Sequence, residues 1–84
     1  MITAGQIRAS RALLGIDQRT LAETAGLSLP TIQRMEASDG VVRGNVDSLM
    51  KLISAFDTLG IEFIADNTAS QSGGRGVRLR RPAP

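Results

Sequence analysis

The feature that most restricts this chain is its punctuation. Four residues with short, hydrogen-bond-accepting side chains, Thr3, Asp17, Ser28 and Asn45, each stand just ahead of a stretch with helical spacing. Such side chains satisfy the free N–H groups of a first helical turn. Gly15, Gly26 and Gly60 close three of those stretches, as the residue type best suited to a helix stop. Thr3 with Gln6 three positions later makes a capping box. Pro30 falls in the first turn of the third stretch, where its missing N–H costs little. The pattern predicts four short helices: Ala4 to Leu14, Gln18 to Ala25, Leu29 to about Ala37, and Val46 to about Leu59. A polar loop, Ser38 to Gly44, separates the last two.

Apolar positions recur at helical spacing inside these stretches. Ile7, Leu14 and small alanines mark the first, and Leu21, Ala22 and Ala25 the second. Ile32 and Met35 turn inward in the third, and Val46, Leu49, Ile53 and Phe56 form a stripe in the fourth. After Gly60 the period changes. Ile61, Phe63 and Ala65 alternate with Glu62 and Ile64, as in a short strand. An Asn-, Ser- and Gly-rich segment, Asp66 to Gly76, reads as a mobile loop. Gly76 to Arg81 then has a period of two and ends at Pro82. This second strand would pair with the first, in the same chain or in a partner's. The expected fold is mainly α: a four-helix bundle over residues 1–60, with residues 61–84 forming a short C-terminal β-hairpin or dimer arm, its loop and a basic tail.

Composition narrows the function classes. Eighty-four residues make one domain at most, near the lower size limit for a self-supporting core. Phe56 and Phe63 are the only aromatic residues, so that core must be aliphatic. With no Cys there is neither a disulfide nor a thiolate metal site, which fits a reducing compartment. With no His, the commonest general base and metal ligand is missing. There is also no phosphate-binding glycine loop and no evident carboxylate pair, so an enzyme, a cofactor and a metal are not expected. No apolar run follows a basic N-terminal segment. The stretch Leu49 to Phe56 is broken by Lys51 and is too short to span a bilayer. A cytoplasmic protein without a membrane partner is expected.

The net charge is only +2, and its distribution is uneven. Residues 1–65 are slightly acidic, while Arg75, Arg78, Arg80 and Arg81 face Asp66 alone in the tail. That run reads as a solvated strand edge or tail, with a groove-binding arm as the alternative. Charge does not by itself argue for a nucleic-acid partner; geometry has to.

The geometry lies between Gln18 and Glu36. Two short helices meet there through a turn of about four residues with Gly26 at the bend. Ala22 must be small where the helices cross, and Gly26 permits positive φ. Leu21, Ala25, Ile32 and Met35 must be apolar to hold the roughly 90–120° angle of a helix-turn-helix. Together with Ile7-Arg8, Arg11, Leu14-Gly15, Gln18, Ser28 and Glu36, these residues closely resemble the phage-repressor, or xenobiotic-response-element, type of helix-turn-helix regulator. The resemblance runs from Ile7 to Phe56. That family folds as a compact bundle of about five helices; here the Ile61 to Ile64 strand pattern stands in place of the fifth. Gly60-Ile61-Glu62-Phe63-Ile64 and Gly76-Val77-Arg78-Leu79-Arg80 are similar to segments of some short members, which implies a β-strand dimer arm.

The resemblance implies a bacterial or phage transcriptional regulator that binds operator DNA as a homodimer through residues 28–37. Gln18 would donate to a phosphate and brace a recognition-helix side chain. Ser28 and Thr31, at the N-terminus of that helix, suit phosphate or base contact. Leu29, Pro30, Gln33 and Arg34 would face the major groove. Arg34 could grip guanine, whereas Leu29 and Pro30 lack donors and could only press on thymine methyls. Arg43 would reach a phosphate or the minor groove, and Asn45 would offer its backbone N–H. Arg11 and Glu36 would form a semi-buried structural salt bridge. The rival reading is a protein-binding antiactivator or antitoxin on the same fold, because a near-neutral body and an apolar Leu29-Pro30 tip also suit a partner protein.

Overall fold

The structure is a computed structural model that describes residues 2–66 and 68–80. Among these residues four helices are followed by two strands: α1 (Ala4–Leu14), α2 (Gln18–Ala25), α3 (Leu29–Glu36), α4 (Val46–Thr58), β1 (Ile61–Ile64) and β2 (Gly76–Leu79). The protein is therefore mainly helical, with a small antiparallel sheet. Every helix begins at the cap its sequence announces. The side chains of Thr3, Asp17, Ser28 and Asn45 accept from the backbone N–H of Gln6, Thr20, Thr31 and Ser48 respectively. Gly15 and Gly26 end α1 and α2 at φ +67° and +69°, a left-handed conformation that costs a residue with a Cβ about 1–2 kcal/mol. In the other two helices the stop differs: α3 ends at Ala37 and α4 at Leu59, both with right-handed backbone.

α1 packs against α3 and β2, α2 against α3 and α4, and α4 against β1. Ile7, Leu21, Ile32, Leu52 and Phe56 are fully buried at the centre. Burying one such side chain is worth about 1.5–3 kcal/mol. Phe63 of β1 meets Phe56 edge to face, with ring centroids 5.7 Å apart. The residues ahead of α1 close one end of this core. Thr3 bridges to Val41, the Val42 N–H donates to the Ile2 carbonyl at 3.0 Å, and Ile2 and Val42 are both buried.

Three burial expectations change. The alanines Ala9 and Ala12 of α1 are exposed, and its inner face is built instead from Ala4, Gln6, Ile7 and Ser10. In α4 the buried set is Leu49, Leu52, Ala55 and Phe56, while Val46 is 74% exposed and Ile53 half-buried. The stripe is rotated because periodicity defines a band but not which neighbours cover it. In β1, Ile64 is half-buried and Ala65 lies beyond the strand, exposed.

The two strands pair with each other in the same chain, Ile61 opposite Leu79 and Ile64 opposite Gly76. The strand pair is docked on the helices rather than extended from them. Gln6 Nε2 donates to the Gly76 carbonyl at 2.9 Å and to the Ile64 carbonyl at 3.4 Å. At the other end Arg80 donates to Asp57 Oδ1, to the Asp57 carbonyl and to the Ile61 carbonyl. β2 stops at Leu79, and the expected strand end at Arg81 and Pro82 lies outside the described residues. No helix among the described residues is long and apolar enough to cross a membrane.

Candidate functional site

α3 is a short helix with two unlike faces. Ile32, Met35 and Glu36 are buried, whereas Ser28, Pro30, Gln33 and Arg34 are exposed and Leu29 and Thr31 are half-buried. Three elements hold the inner face. α2 grips it with Leu21, Ala22 and Ala25, all buried, across the turn Gly26 to Ser28. α1 grips it through charge: Arg11 Nε and Nη2 donate to Glu36 Oε2 and Oε1 at 2.7 and 2.8 Å. Arg8 adds a hydrogen bond to the Glu36 carbonyl. The outer face is thereby presented on a rigid base, which a site built for precise contacts needs.

Along that face runs a hydrogen-bonded row. The Ser28 and Thr31 hydroxyls are 2.8 Å apart, and Arg34 Nη2 donates to Thr31 Oγ1 at 3.3 Å. The spacing of three residues puts these side chains on one line of the helix. Arg34 is thus laid back toward the helix N-terminus, its guanidinium keeping donors available to solvent. Ser28 works both as the cap of α3 and as the first member of this row.

A cleft of about 140 Å³ separates the row from the start of α4. Thr31, Arg34, Met35, Arg43, Gly44, Asn45 and Ser48 line it. Four of the residues singled out from the sequence, Thr31, Arg34, Arg43 and Asn45, are thus brought to one place. Two exposed guanidinium groups and the hydroxyl and amide groups beside them make this a region suited to an anion. The Asn45 side chain is engaged as a cap, its Oδ1 accepting from the Ser48 N–H at 2.7 Å. Gln33 and Pro30 lie on the exposed face of α3 but outside this cleft, as does Leu29. Gln18 is half-buried at the first position of α2, and its side chain makes no hydrogen bond to α3 among the described residues.

Two contributors have little sequence signal. Ser48 enters the cleft only because Asn45 starts α4 beside α3. Arg8 serves the base of α3, a role that the sequence reading, which named it only as part of the family resemblance, did not assign. Neither role is visible without knowing which helices touch. Among the described residues, no group of His, Cys, Asp and Glu is arranged to hold a metal ion. No protein-family model matches the chain, and no curated protein matches it significantly.

Proposed function

We propose that this protein is a DNA-binding transcriptional regulator of the repressor helix-turn-helix type, using α3 as its recognition helix and acting on operator DNA as a homodimer. One observation carries the reading. α3 is pinned from behind by Ile32, Met35 and the Glu36 ion pair, yet Ser28, Gln33 and Arg34 are exposed on its outer face, and Arg34 shares a cleft with Arg43. A helix anchored on one side and polar on the other can enter a major groove about 12 Å wide. Its N-terminal N–H groups and dipole favour phosphate nearby. In this reading Arg34 and Gln33 address base edges, Leu29 and Pro30 contact thymine methyls, and Ser28, Thr31, Arg43, Asn45 and Gln18 hold the backbone.

Footprinting and titration of the purified chain on the DNA upstream of its own gene test the proposal. The expected result is a two-fold protected site with half-sites about 34 Å apart. Affinity should fall steeply with salt, the logarithmic slope being about −0.9 for each phosphate neutralised. A chain that binds no duplex at low salt, or binds with no salt dependence, overturns the reading. Binding to a protein partner that persists at high salt would instead favour the antiactivator or antitoxin class.

A further inference from the structure

The hairpin carries one arginine that its own fold leaves unmatched. Arg78 pairs with Glu62 at 3.6 Å and Arg80 with Asp57 at 3.1 Å, but Arg75 has no ion pair among the described residues. Arg75 stands two positions before Val77, which packs against the core. Strand alternation therefore sets it on the side of the hairpin that faces the helices. There it borders two clefts. One, of about 530 Å³, lies between α4 and β1; Ile2, Ile53 and Phe63 form its apolar interior, and the exposed Asp66 and Arg75 stand at its rim. The other, of about 280 Å³, lies between α1 and β2. The larger cleft has the size of a small-molecule site, for which about 300–1,000 Å³ is usual.

We infer that the larger cleft binds an apolar α-amino acid, with its side chain among Ile2, Ile53 and Phe63, its carboxylate at Arg75 and its ammonium at Asp66. The chemistry of the walls selects this class. Gln6 is the one uncharged polar side chain lining the cleft, and both ends of its amide are already engaged. Its Oε1 accepts from the Thr3 N–H, and its Nε2 donates to the Gly76 and Ile64 carbonyls. A sugar or nucleoside would thus bury polar groups without partners, which is costly. A hydrocarbon would leave both rim charges unused. A simple carboxylic acid would bring its anion beside Asp66, and a simple amine its cation beside Arg75. An α-amino acid carries both charges on the carbon that bears its side chain. One end then meets Arg75 and Asp66 through charge-assisted hydrogen bonds while the other fills the interior. The volume suits a large side chain, such as that of leucine or phenylalanine.

Ile2 links this cleft to the one beside α3. Its carbonyl accepts from the Val42 N–H at 3.0 Å, Thr3 bridges to Val41, and the Ala4 N–H donates to the Gly40 carbonyl at 3.1 Å. Arg43, which lines the cleft beside α3, directly follows Val42. An occupant resting on Ile2 therefore bears on the loop that places Arg43. Any effect on operator binding rests on the DNA-binding reading; occupancy of the cleft does not.

Calorimetric titration of the full chain without DNA tests the inference. The probes are phenylalanine and leucine, each beside its analogue without the ammonium and its analogue without the carboxylate. At least one of the two amino acids should bind with a Kd of about 1 mM or tighter. Each of its two analogues should bind at least about tenfold more weakly. Arg75→Gln should lose the preference for the amino acid over the amine, and Asp66→Asn the preference over the acid. Both side chains are exposed, so both variants should fold, as circular dichroism checks. Amide chemical shifts should move at Ile2, Ile53 and Phe63 when the amino acid is added. The inference is overturned if neither amino acid binds, or if both variants discriminate as wild type does. Shifts confined to another surface overturn it too, as does an acid analogue that binds as tightly as its parent, which would make Arg75 a simple anion contact. Because no DNA is present, failure here is separable from failure of the operator footprint.

Discussion

Arg11 and Glu36 are joined by two parallel hydrogen bonds of 2.7 and 2.8 Å, a forked ion pair that ties α1 to α3. The carboxylate end is nearly sealed, with 4% of its side chain exposed, while Arg11 keeps 21%. Arg11 also donates to the Ile16 carbonyl at 3.3 Å, reaching the turn before α2. The hydrogen bonding to Glu36 raises the guanidinium pKa, burial opposes it, and the charges of Glu36 and Asp17 add to the rise. Arg11 is thus held charged throughout any usable pH range.

Removing one side of this pair should be costly because the other is left desolvated. Arg11→Ala is expected to lower stability by about 3 kcal/mol, the low end for a buried pair because Arg11 is partly hydrated. Replacing both, as Arg11→Met/Glu36→Leu, should recover most of the loss. Urea unfolding of the three variants measures both effects. A cost for Arg11→Ala under about 1 kcal/mol would make the pair an ordinary surface contact.

Gln6 is shared between two structures. Its Oε1 accepts from the Thr3 N–H at 2.8 Å, completing the cap of α1, and its Nε2 holds the hairpin through Gly76 and Ile64. Gln6→Ala should destabilise by about 1–2 kcal/mol through the lost hydrogen bonds. Amide exchange should show the loss concentrated in β1 and β2, with α4 little changed. Thr3→Ala removes only the cap and should leave hairpin protection higher than Gln6→Ala does.

Acid should loosen the start of α2. The Thr20 N–H donates to Asp17 Oδ1 at 2.8 Å, and this hydrogen bond, with one from the Thr20 side chain, lowers the Asp17 pKa. A carboxyl with a lowered folded-state pKa stabilises the protein above its unfolded value of about 3.9. That contribution is lost as pH falls through the folded value. Asp17→Asn keeps an accepting cap without a titrating group. The thermal midpoint of the wild type should therefore drop more than that of Asp17→Asn between pH 5 and acid below the folded pKa; identical profiles would refute this assignment.

Two arginines should fail in different ways if α3 reads DNA. Arg34→Ala should cost about 1–3 kcal/mol on the preferred site and narrow the gap to mismatched sites. Arg43→Ala should weaken all sequences alike and reduce the salt slope by about 1. Titrations of both variants on matched and mismatched duplexes, each at several salt concentrations, separate the roles. Equal losses on every sequence for Arg34→Ala would make it a phosphate contact instead.

The helix starts were legible because capping is local. Thr3, Asp17, Ser28 and Asn45 each act on an N–H three residues away, so neighbours in sequence suffice to specify them. Gly15 and Gly26 are legible for the same reason, since positive φ is a property of one residue. The inward positions of α2 and α3 were also legible, for their apolar residues are few and leave one face to choose. The two strands were readable from period, but whether they join within one chain was not.

Tertiary structure decided what depends on residues far apart along the chain. Gln6 is an end-of-helix residue by sequence, and becomes a buried latch because Gly76 comes to it across seventy positions. Val46 belongs to the α4 stripe by period, yet is left outside because the buried band centres on Leu52 and Phe56. Arg34 and Arg43 meet across one cleft because α4 starts beside α3. A backbone cap or a glycine turn is chosen over a few ångströms of chain. Burial and convergence are chosen by which surfaces exclude water together, and no local pattern carries that information.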